Sequence, residues 1–101
     1  MAEYKLDPEA EKDLEGIARY TRKEWSKNQN TIYRRKLISS FNDIAEENVR
    51  DRSLKGTNQN LFFVHCERHY IFYLRSTTPV TIVAVLHERI GLLYQINRRL
   101  P

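Results

Sequence analysis

One stripe of the chain, Ala10, Leu14, Ile17, Thr21 and Trp25, advances by four, three, four and four positions. That step keeps side chains on one face of an α-helix. The helix has a marked start at Asp7-Pro8-Glu9. Asp7 is suited to cap free N–H groups, Pro8 fits the first helical position, and Glu9 and Glu11 suit the positive end of the helix dipole. Before it, Glu3-Tyr4-Lys5-Leu6 alternates polar and apolar residues, which predicts a short strand. A break at Ser26-Lys27-Asn28 precedes a second helical stripe of Tyr33, Leu37, Phe41, Ile44 and Ala45, flanked by Ile38. Helices joined by so few residues fold back as an antiparallel hairpin.

Residues 48–60 are polar, include Gly56 and predict a loop. Leu61–Cys66, His69–Arg75 and Val80–His87 are rich in Val, Ile, Phe and Tyr and have the length of strands. The separators, Glu67-Arg68 and residues 76–79, are short enough for hairpins. The predicted order is β-α-α-β-β-β. This is an α+β domain spanning 1–101, with the helix hairpin packed on one face of a small, mostly antiparallel sheet.

Strict alternation sends Val80, Ile82, Ala84 and Leu86 one way and Val83 and Val85 the other. In the strand before, Tyr70, Phe72 and Leu74 oppose Ile71 and Tyr73. Both sheet faces are then apolar, while two helices cover only one. A second chain is the expected cover for the other face, since large exposed apolar patches mark binding surfaces; the C-terminal segment folding back is the alternative.

Composition narrows the classes. A length of 101 residues fits one domain, and eleven aromatics supply a core. No apolar run approaches the ~20 residues of a membrane span, and the N-terminus lacks a secretory pattern. A single cysteine, Cys66, fits a reducing compartment, so a cytoplasmic location is expected. Residues 1–50 carry ten Lys/Arg and ten Asp/Glu, whereas residues 51–101 carry seven and three; the net +4 therefore lies in the second half. This imbalance suits nucleic acid, an acidic partner or a solvated face alike.

Candidate chemistry is sparse. If Glu67-Arg68 is a two-residue turn, Cys66 and His69 face each other on one side of the sheet. His65 points to the opposite side, so no four-ligand zinc site converges, and neither a metal nor a cofactor is expected. Cys66 suits a half-buried apolar role. No nucleophile motif or phosphate-cradling loop is present. The stretch from His87-Glu88-Arg89 to Tyr94 holds side chains that metal-free RNA cleavage could use.

Several strings converge on a known family. They are Tyr4-x-Leu6-x-Pro8-Glu9-Ala10-Glu11-x-Asp13-Leu14-x-x-Ile17, then Tyr20-Thr21 and Trp25. Arg68-His69-x-Ile71-Phe72-Tyr73 and Val83-x-Val85-Leu86-His87-x-Arg89 follow. In this order the chain resembles the ParE branch of the RelE/ParE toxin superfamily, the toxic halves of bacterial toxin–antitoxin pairs. Glu67 stands where such chains commonly have glycine, Asn48-Val49 where they have Asn-Pro, and Ile90 where an aspartate follows the arginine.

The resemblance implies a non-enzymatic inhibitor of DNA gyrase that traps its cleaved-DNA complex and is neutralised by a ParD-like antitoxin. No catalytic residues are then required. RelE-like relatives instead cut mRNA in the ribosome. Aligned with those nucleases, Tyr70 and Glu88 occupy positions where arginines are expected, and a carboxylate would repel the phosphate. An mRNA endonuclease and an antitoxin-binding homologue without toxicity stay open as alternatives. The candidate target contacts are His87, Arg89, Arg98 and Arg99. The candidate antitoxin contacts are Trp25, Phe63, Tyr73, Val83 and Val85, and the helix hairpin serves folding, antitoxin docking or both.

Overall fold

Asp7 joins the first strand to the first helix. In the computed structural model its Oδ1 accepts the Glu9 N–H (3.0 Å) and its carbonyl accepts the Glu11 N–H (3.0 Å), which caps the helix. Its own N–H donates to the Ile82 carbonyl (2.9 Å), so the cap also extends the sheet. The structure describes residues 3–24, 27–53, 61–89, 95, 96 and 98.

The elements are β1 (Tyr4–Leu6), α1 (Pro8–Glu24), α2 (Lys27–Ala45), β2 (Arg52–Ser53), β3 (Leu61–Cys66), β4 (His69–Leu74) and β5 (Val80–His87). They form the expected α+β architecture, with both helices on one face of a five-stranded sheet ordered β1-β5-β4-β3-β2. Only β1 and β5 run parallel, in the register Tyr4↔Val80 to Leu6↔Ile82. β2, a two-residue strand inside the expected loop, pairs Arg52 with Phe63 and Ser53 with Phe62. Two residues past the end of α2 stands Glu47, whose φ is 60°. There Asn48 N–H reaches the Asp43 carbonyl (2.8 Å) and Glu47 N–H the Ile44 carbonyl (3.1 Å), a Schellman closure that ordinarily favours glycine.

The alternation expected along β5 fails at one residue. Phe72 pairs with Ala84 but Tyr73 pairs with Ile82, so Val83 is a bulge. Val80, Ile82 and Val85 consequently lie under the helices, whereas Val83, Ala84 and Leu86 lie on the opposite face. The helix-side core is built on Leu37, Phe41, Ile44, Ile71, Tyr73 and Ile82, with Leu14, Ile17 and Tyr33 half-buried against it. On the other face Leu61, Phe72, Ala84 and Leu86 pack with Ile96, which is fully buried. The C-terminal segment thus contributes cover that the sequence reading assigned first to a second chain. An apolar side chain placed there removes the same surface from water.

Among the described residues, no strand neighbours the β1 side of β5 beyond Leu6. Asp13 reaches across from α1, and its Oδ2 accepts the Val85 N–H at 2.9 Å. A side-chain carboxylate therefore stands where a strand carbonyl would otherwise pair.

Candidate interaction site

Between α1, α2 and β1 runs a groove of about 570 Å³. Leu6, Leu14, Ile17, Leu37, Ile38 and Phe41 give it apolar walls, and the Tyr4 ring packs on Phe41 with centroids 5.4 Å apart. Leu14 and Ile17 are half-buried along its wall. The rim carries Glu11 and Glu15 from α1, together with Arg19 and Arg34. An apolar floor with charges of both signs on its rim suits the apolar stripe of an amphipathic helix.

One wall continues into the sheet end. Glu67-Arg68 forms the two-residue turn that pairs Cys66 with His69, as the sequence predicted. Glu67 takes φ 57°, at the first central position, where tight hairpins favour glycine. Tyr33 of α2 docks on this turn. Its hydroxyl accepts the Arg68 N–H (3.3 Å) and is hydrogen-bonded to His69 Nδ1. The His87 ring stands edge-on to His69, with centroids 5.2 Å apart.

Burial, followed by His87, holds His69 down to about 4, against the pull of Glu88 and Asp13. Burial also pushes the Tyr33 hydroxyl up, although the Arg68 N–H works against it. The Cys66 thiol is likewise raised, chiefly by burial, and its Sγ donates to the Lys36 carbonyl at 3.8 Å. It is a packed, protonated thiol rather than a nucleophile.

Around this core the contacts turn polar. His65 Nε2 meets Glu88 Oε2 at 2.8 Å, and Lys36 Nζ meets Glu67 Oε1 at 3.1 Å. His87 Nδ1 accepts the Arg89 N–H at 3.1 Å, and Glu88 N–H donates to the Arg68 carbonyl at 3.0 Å. Among the described residues no group of three or more His, Cys, Asp or Glu is placed to hold a metal ion.

The structure sets His87 half-buried and Arg89 exposed beside it at the end of β5, and Arg98 is also exposed. Arg99, Trp25 and Tyr94 lie outside the described residues. Of the candidate antitoxin contacts, Phe63 and Val83 belong to the second face, but Tyr73 and Val85 are buried beneath the helices. The four described ones are thus divided between the two faces of the sheet. Val85 was read onto the same face as Val83 because nothing in the sequence marks the bulge.

Sequence reasoning also missed the links made by Tyr33 and by Asp51. The second of these is a half-buried knot. Asp51 Oδ2 accepts the Tyr73 hydroxyl together with Arg75 Nη2 (2.9 Å) and Nε (3.2 Å). Arg75 Nη1 lies 3.5 Å from Glu47 Oε1, and its guanidinium sits over the Tyr73 ring, 5.2 Å from the centroid. Burial works to raise Asp51, but hydrogen bonds from Tyr73 and Arg75 and the guanidinium charge outweigh it, leaving the carboxyl below its ordinary range. Tyr73 is pushed far up by burial and by the adjacent carboxylate.

Comparison with known proteins matches nearly the whole chain. Residues 4–91 match the family model for the ParE toxin of the type II toxin–antitoxin system parDE. Toxin ParE of Escherichia coli is 39% identical over 101 residues, covering 99% of this chain and 98% of the relative. No described helix is long and apolar enough to cross a membrane.

Proposed function

Because this chain belongs to the ParE toxin family of type II toxin–antitoxin systems, we propose that it inhibits bacterial DNA gyrase without catalysing a reaction of its own. A ParD-like antitoxin silences it by laying an amphipathic segment along the groove. Family membership implies the antitoxin partner; the groove supplies a seat for it. The observation that carries this reading is the half-buried pair Leu14 and Ile17, lining an open apolar channel with Glu11, Glu15, Arg19 and Arg34 on its rim. A helix laid there would bury apolar surface worth about 25 cal/mol per Å², with rim charges fixing its direction.

The gyrase-facing side is the basic end, where Arg89 is exposed and His87 is held by the Arg89 N–H. Its guanidinium suits an acidic protein surface or a DNA phosphate. A nuclease reading is less well served. His69 is neutral and engaged with Tyr33, while the Glu88 carboxylate pairs with His65 at the position where a nuclease would need a cation.

Expression in bacteria with and without the adjacent antitoxin tests the proposal. Filamentous cells with DNA breaks, rescued by antitoxin, support it, and a purified supercoiling assay should show inhibition that weakens in Arg89→Ala. Rapid translation arrest with cut ribosomal mRNA would replace it with the nuclease. Healthy growth with soluble protein would leave only antitoxin binding.

A further inference from the structure

The helix hairpin is electrically lopsided along its length. In the half nearer β1, residues 8–15 and 37–45 carry five acids and one base. In the half at the hairpin tip, residues 16–24 and 27–36 carry one acid and seven bases. The groove samples both halves. Glu11 and Glu15 stand on its rim toward the end that Tyr4, Leu6 and Phe41 line, and Arg19 and Arg34 stand toward the tip. Arg34 lies seven residues after the start of α2 and Ile17 seven before the end of α1. Antiparallel packing therefore sets Arg34 and Arg19 on opposite walls at nearly one height. A second hollow, lined by Ala18, Lys27, Asn30, Thr31 and Arg34, shares three of these residues with the groove and prolongs its cationic end.

All four rim charges are exposed, and among the described residues none of them forms an ion pair. Glu15 and Arg19 have the i, i+4 spacing at which such pairs ordinarily close on a helix. Glu11 and Arg19 are eight positions apart on α1, which separates the opposite signs by about 12 Å along the axis. A helix lying over Leu14, Ile17 and Leu37 buries its apolar stripe on them. Its flanking side chains, about two turns apart, then meet one sign at one end and the other sign at the other.

We propose that the groove takes its amphipathic helix in one charge order only, the acidic end at the hairpin tip against Arg19 and Arg34 and the basic end at β1 against Glu11 and Glu15. This rests on the groove being the antitoxin seat, and it adds the order of charges that the antitoxin helix carries. Exposed ion pairs give little affinity. Setting like charges against each other nevertheless costs enough to choose between two orientations and between two partners. A helix with one sign along its whole length is opposed at one end of the groove whichever way it lies.

Two stapled helical peptides of about three turns, identical in their apolar stripe, test this by NMR on the isotopically labelled full chain. The first is acidic at its N-terminal end and basic at its C-terminal end; the second has the reverse order. Each carries a nitroxide at its N-terminus. The nitroxide of the first should broaden the Ala18 methyl at the tip most strongly, and that of the second the Leu6 methyls at β1. The chain carrying E11K, E15K, R19E and R34E together should exchange the two patterns. A third peptide, acidic at both ends, should bind the wild type about fivefold more weakly at low salt, and the gap should close as salt is raised.

Nitroxides that lie nearest the same end in both peptides would overturn the charge order while the groove stands as a helix seat. Equal affinity of the third peptide at low salt would do the same. The purified antitoxin encoded beside the toxin separates the two readings, because it should displace both peptides. Peptides that orient by charge but are not displaced would remove the antitoxin from the seat and uphold the charge order. Peptides that leave the methyls of Leu14 and Ile17 unmoved would overturn both.

Discussion

The two ends of β4 are fastened by tyrosine hydroxyls, but with opposite chemistry. At its start Tyr33 is hydrogen-bonded to His69, whose ring burial keeps neutral. Just past its end Arg75 joins Tyr73 on a single oxygen of Asp51, with a guanidinium stacked on the ring. The first joins neutral groups; the second is an ion pair that deprotonation of the carboxyl creates. The same hydroxyl therefore works as a hinge pin at one end of the strand and as a rivet at the other. The difference follows from what each hydroxyl meets rather than from tyrosine itself.

Removing the rivet should have the largest effect. Asp51→Ala leaves the Tyr73 hydroxyl and the Arg75 guanidinium without their shared acceptor, and the cost should be about 2–4 kcal/mol. Urea unfolding would show it as a lower midpoint with an unchanged slope. Removing the pin is milder: Tyr33→Phe keeps the ring in the groove wall and loses the hydrogen bonds with His69 and the Arg68 N–H, about 1–2 kcal/mol. Equal losses from the two substitutions would erase the contrast drawn here.

Acid should separate the ends by range. The folded pKa of His69, about 4, is below its unfolded value of 6.5. The unfolded chain takes up that proton first, so its contribution is full above 6.5 and falls as pH drops toward 4. Asp51 is also lowered, but from 3.8. Its stabilisation is present above the unfolded value and disappears only as pH falls below it, through the folded value. Thermal melts between pH 7 and 3 should show two stages of loss, with His69→Gln removing the upper one and Asp51→Asn the lower.

The smallest effect concerns the turn itself. Glu67 holds φ 57°, a left-handed conformation that costs a non-glycine residue about 1 kcal/mol, and its ion pair with Lys36 is exposed and worth little. Glu67→Gly should raise stability by roughly 0.5 kcal/mol once the extra freedom of an unfolded glycine is offset, a small but measurable rise in the thermal midpoint. A loss of stability would mean that the Lys36 pair matters more than the backbone.

Much of the fold was legible because the signals were local. Asp7-Pro8-Glu9 announces the α1 start, and the two-residue gap at Glu67-Arg68 fixes the pairing of Cys66 with His69. What escaped depends on register or on distant partners. The Val83 bulge adds one residue to β5 with no marker in composition, and it reverses the face of every side chain beyond it relative to strict alternation. Tyr33 and His69 lie 36 positions apart, and Asp51 and Tyr73 lie 22 apart. No spacing rule predicts such meetings. The groove was half legible: the stripes on both helices were plain, but the space left between them depends on how the hairpin seats on β1.

The Asp13 carboxylate on the Val85 N–H has a consequence for the life of the protein outside a complex. β5 outruns β1 and would otherwise offer an unpaired hydrogen-bonding row, the kind of edge along which sheets from different molecules join and grow into aggregates. A negative charge planted on that row fills one donor and repels an incoming carbonyl. Replacing Asp13 by Ala should therefore free the Val85 N–H and leave this stretch of β5 easier for another strand to pair with.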